Sequence, residues 1–87
     1  VATKKDYETV ARVIGHVMYA IDEQSQVRST DGMLFGFRSV HEKAIATTML
    51  DVLAGWLSFN FEQENPRFNK VMFREAVIKA RQDGPFN

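Results

Sequence analysis

SVHEKAIATTMLDVLAGWLSFNF, residues 39–61, is the stretch on which the fold class turns. Ser39 stands three residues before Glu42, the capping-box spacing in which a serine hydroxyl accepts from a backbone amide of the first helical turn. A helix is therefore expected from Val40 to about Phe61. Of the 18 residues from Ala44 to Phe61, 12 are apolar, and they cover more than one stripe. A helix that is apolar nearly all round is buried on several sides. This reading makes it the central element, packed by both neighbours or shared with a second copy of the chain.

Working outward, a helix is predicted on each side. Thr3 and Asp6 form a capping-box pattern with aspartate in place of glutamate, and Tyr7, Val10, Ile14, Val17, Met18 and Ile21 recur at spacings of three and four. That predicts a helix from about Lys4 to Gln24, in which Gly15 costs about 1 kcal/mol against alanine. After the central stretch, Asn65 and Pro66 make a turn, because the residue before a proline is pushed out of the helical region. Asn69 then serves as N-cap, with Phe68 and Phe73 placed to form a hydrophobic staple. Phe73, Ala76, Val77 and Ala80 continue the core face, and Gly84 with Pro85 stops the helix. The expected fold is all-α: a small, single, three-helix domain with a long, partly apolar connection between the first two helices.

That connection, Ser25 to Arg38, exceeds the two to eight residues usual between packed helices. Thr30, Asp31 and Gly32 are turn chemistry. The segment can hold a short hairpin, with Gln26 to Ser29 pairing with Met33 to Phe35, or an early extension of the second helix.

Length and composition narrow the function classes. Eighty-seven residues, 45% of them hydrophobic, suffice for one core. The absence of cysteine excludes disulfides, thiolate zinc sites and thiol catalysis. Eleven basic residues balance eleven acidic ones, so nucleic acid is disfavoured as the main partner, and weak self-repulsion eases self-association into a homodimer. Residues 1–6 are charged and lead into no apolar segment, so no secretory signal is expected there. The longest unbroken apolar run, Val52 to Leu57, is six residues and includes a glycine, which argues against a membrane span.

Catalytic and metal motifs are missing from the sequence. His16 is followed at i+4 by Ala20 and His41 by Ile45, so neither begins a two-histidine helical metal site, and no phosphate-binding or nucleophile-elbow pattern occurs. The carboxylate pairs Asp22 with Glu23 and Glu62 with Glu64 read as solvated helix ends. No enzyme activity, cofactor or metal is expected. Two features remain as candidate partner-binding sites. Met33, Leu34, Phe35 and Phe37 either fold back over the helices as core or present an apolar patch to a partner. Arg67, Arg74 and Arg81, spaced by seven, could with Lys70 line one basic face of the third helix and meet an acidic protein surface or phosphates.

The two ends of the chain also carry a likeness. Lys4, Lys5, Asp6, Tyr7, Val10 and Ala11, together with Glu64, Asn65, Pro66, Arg67, Phe68, Asn69, Phe73 and Ala76, resemble a group of short uncharacterised proteins encoded by tailed bacteriophages and prophages. The likeness covers roughly the first 15 and the last 25 residues. It implies a setting rather than an activity: a small accessory phage product in the cytoplasm of a bacterial host. Small accessory phage proteins often act stoichiometrically on host machinery, including defence systems such as CRISPR-Cas, so the resemblance implies an anti-defence or anti-CRISPR inhibitor as one expectation.

Overall fold

A computed structural model describes residues 3–85. Helix α1, Lys4–Tyr19, runs into a π-helical turn, Ala20–Gln24; a two-stranded hairpin follows, β1 Gln26–Arg28 and β2 Leu34–Gly36, then α2, Val40–Glu64, and α3, Lys70–Asp83. The described chain is thus mostly helical, and the all-α expectation needs one amendment: residues 25–38 hold a small antiparallel sheet. The hairpin alternative is the one realised.

The helix starts follow from local chemistry. The Asp6 amide donates to Thr3 Oγ1 at 3.4 Å, and Asp6 Oδ2 accepts from the Thr3 amide at 2.9 Å, a closed capping box. Ser39 Oγ accepts from the Glu42 amide at 3.1 Å. Asn69 Oδ1 accepts from the amides of both Val71 and Met72, at 3.0 and 3.1 Å. Before it, Asn65 Oδ1 takes the Arg67 amide and the Asn65 carbonyl takes that of Phe68, closing the proline turn. Gly84 ends α3 at φ 74°, in the left-handed region, and a Cβ there would lie 2.6 Å from the Tyr19 ring.

The core lies between α1 and α3, which pack along much of their length. Tyr7, Ala11, Ile14, Met18 and Ile21 of α1 and its π turn are buried, and Phe68, Phe73, Val77 and Ala80 meet them. Of the expected α1 core face, Val10 and Val17 are only partly buried, whereas Ala11 and Gly15 belong to it. Gly15 marks the closest approach: a Cβ there would fall 2.5 Å from both the Ala80 Cβ and the Val77 carbonyl oxygen. Its glycine permits the helix contact as well as costing helix propensity. At one end Tyr7, Phe61, Phe68 and Phe73 interlock, with ring centroids 4.7 Å apart for Tyr7–Phe61 and Tyr7–Phe68 and 5.6 Å for Phe68–Phe73.

Helix α2 is where expectation and structure part. It is not the wrapped central element, a place taken by α1. It contributes Ala54 as its one buried residue among those described, with Leu50, Leu57 and Phe61 packed part-way against the core. Composition registers how much of α2 is apolar, not how much of it a neighbour covers. Its 25 residues are also long and apolar enough, by length and composition, to cross a bilayer, a property hidden by counting unbroken runs. Asp51 stands exposed at the middle of that length.

Candidate partner-binding surfaces

The hairpin is built by its turn. Ser29 accepts from the Gly32 amide at 3.0 Å, and Gly32 takes φ 86°, so Thr30, Asp31 and Gly32 form a type I turn followed by a left-handed glycine. Asp31 Oδ1 accepts from the Ser29 hydroxyl and, at 3.2 Å, from the Met33 amide. Those two bonds hold the Asp31 carboxyl below its ordinary value. Arg28 Nη1 donates to the Gly32 carbonyl at 2.8 Å, tying strand to turn.

The register divides the apolar run. Val27 pairs with Phe35 and Arg28 with Leu34, so by the two-residue period of a strand Leu34 faces the opposite side from Phe35. Val27 and Phe37 are half-buried, whereas Met33, Leu34 and Phe35 are each about half exposed, at 58%, 52% and 49%. None of the four belongs to the core between the helices; Phe37 is half-buried, and Leu34, on the Arg28 side, is open.

The basic residues do not form one row. Arg67 lies in the proline turn before α3 begins, because Asn69 caps the helix two residues later. It lines a groove of about 480 Å³ at the start of α1, beside Lys4 and Met72. The seven-residue spacing assumed a helix that had not yet started. Lys70, Arg74 and Arg81 do share a surface, an open groove of about 700 Å³ between α2 and α3 into which Asp51 also faces. Two of them are engaged. Arg81 grips Asp22 with two bonds, Nε–Oδ2 at 2.7 Å and Nη2–Oδ1 at 3.1 Å, and Lys70 Nζ lies 3.5 Å from Glu62. The bonds to Asp22 raise the Arg81 pKa. Asp22 and Glu62 are thus ion-pair partners at helix ends that stay open to solvent, as expected of these carboxylate pairs. The Asp22–Arg81 fork fastens the π turn to the last turns of α3, a contact between residues too far apart in sequence for any motif to announce.

His16 is half-buried in the last turn of α1 and His41 is exposed in the first turn of α2. Among the described residues no three His, Asp or Glu side chains gather as a metal would require. The Tyr7 hydroxyl is buried and finds no hydrogen-bond partner among them.

A further exposed apolar surface, on α2, was not among the candidate sites of the sequence. Ile45, Met49, Val52, Trp56 and Phe59 of α2 are all between 47% and 68% exposed. Their spacing of four, three, four and three was present in the sequence, masked by the second apolar face of the same helix. The chain matches no known protein family, no curated protein and no solved structure.

Proposed function

We propose that this chain acts by stoichiometric binding to a protein of a bacterial host, inhibiting or redirecting it without turnover. The scaffold is read as a small three-helix domain with an embellished first connection, working in the host cytoplasm like the phage accessory proteins its ends resemble. A defence system such as CRISPR-Cas is the class of target that setting suggests. The supporting observation is the hairpin: a turn stiffened by Asp31 holds Met33, Leu34 and Phe35 half exposed on a two-stranded ladder of three residue pairs. Large apolar side chains on a stiff support bind at low ordering cost.

A nucleic-acid regulator working through Lys70, Arg74 and Arg81, with Arg67, has less behind it, since Lys70 and Arg81 already neutralise Glu62 and Asp22. Leu34→Asp and Phe35→Ser, examined by thermal melting beside co-purification from host lysate, test the hairpin. The expected result is an unchanged melt and loss of a stoichiometric partner. Retained capture by both variants, or salt-sensitive capture abolished only by Arg74→Glu, would overturn it.

A further inference from the structure

Helix α2 carries two apolar faces and uses one. Leu50, Ala54, Leu57 and Phe61 turn to the core, while Ile45, Met49, Val52, Trp56 and Phe59 form a separate seam. Their intervals of four and three repeat every 3.5 residues on average, the period at which a helix keeps one line against another helix. We infer that this seam docks against the same seam of a second copy, antiparallel and two-fold symmetric about Val52.

Area fits a second copy as the occupant. The chain exposes 6498 Å², whereas a compact monomer of 10.0 kDa exposes about 5,200 Å². The radius of gyration tells the same story, 13.5 Å against about 12 Å for a compact domain of this length. An excess of order 1,000 Å² per chain makes about 2,000 Å² for a pair, the size at which stable homodimer interfaces begin. Formal charge is zero, so two copies do not repel.

Orientation follows from the seam itself. Centred on Val52, an antiparallel pair sets Ile45 against Phe59 of the partner subunit and Met49 beside Trp56 of the partner subunit. Thr48 and Gly55 flank the seam with little bulk, which lets the axes approach within about 8–10 Å. The acidic end of α2, Glu62 and Glu64, is then held about 30 Å or more from its symmetry mate, where a parallel pair would place the two side by side. Antiparallel helix dipoles favour the same choice.

The α2 seam and the hairpin lie on different elements, so pairing through one and binding through the other are tested separately. Light scattering on the purified chain over a wide concentration range should give twice the 10.0 kDa chain mass. Val52→Glu and, separately, Met49→Glu should return it to a single-chain mass with helicity kept and association weakened at least a hundredfold. Because the protein has no cysteine, Val52→Cys under oxidation should cross-link readily, Ile45→Cys and Phe59→Cys each poorly, and the Ile45→Cys/Phe59→Cys double variant readily. A single-chain mass at every concentration overturns the pairing, as does a doubled mass in both Glu variants. Equal cross-linking by the three single Cys variants overturns the antiparallel geometry. A monomer that floats with phosphatidylglycerol vesicles would assign the seam to a membrane instead.

Discussion

Helices α1 and α2 both carry apolar side chains at intervals of three and four, yet one of them is buried and the other is largely in water. The difference lies in where small residues sit. On α1, Ala11 and Gly15 fall within the stripe, so α3 comes close enough for Phe73, Val77 and Ala80 to fill the space around Ile14 and Met18. On α2, Gly55 lies beside the outer seam and meets nothing within 4 Å. An apolar stripe supplies the drive for burial, and a close-approach residue facing the right neighbour decides which helix supplies the cover.

The sharpest way to break this contrast is Gly15→Ala. Alanine favours a helix by about 1 kcal/mol over glycine, but its methyl would overlap Ala80 and the α3 backbone, where overpacking costs about 1–3 kcal/mol or more. A net loss of about 2 kcal/mol is expected in chemical denaturation. Tyr7→Phe probes the same core with the opposite sign. Removing a buried hydroxyl that has no partner should leave stability unchanged or raise it by about 1 kcal/mol, read from the same denaturation midpoint.

Gly55→Ala is the counterpart on α2. With nothing in the way, it should stabilise the dilute chain by about 0.5–1 kcal/mol. A gain that shrinks as protein concentration rises would show that Gly55 lies where a second helix must pass. The smallest effect is expected in the hairpin. Asp31 is held below its ordinary 3.8 by the Ser29 hydroxyl and the Met33 amide. A carboxyl depressed in the folded chain contributes above its unfolded pKa, and that contribution is lost as pH falls through the folded one. The Met33 amide signal in NMR should therefore move with pH at a midpoint below the 3.8 of an ordinary aspartate.

What could be read without coordinates was what depends on neighbours in sequence. Thr3 with Asp6, Ser39, and Asn69 with the Phe68–Phe73 pair each place a helix start within one turn of themselves, and those starts stand where the residues put them. The hairpin was within reach for the same reason, since Thr30–Asp31–Gly32 dictates its own turn. Arg67 was misplaced because a seven-residue repeat says nothing about where Asn69 lets the helix begin. Of the two readings of α2, packing by both neighbours fails, because apolar content does not name the surface that covers it. Asp22 and Arg81, 59 positions apart, lie outside any local pattern.

The π-helical turn at Ala20–Gln24 gives the molecule a place where a change of length is absorbed. A π turn accommodates one residue more than an α-helix would over the same span, so loss of one residue there restores regular winding and leaves the flanking backbone in phase. The Gly15–Ala80 crossing lies five residues upstream of Ala20. Ile21, buried in the core, and Asp22, paired with Arg81, lie inside the turn, so such a deletion is felt at those two contacts while the hairpin keeps its direction.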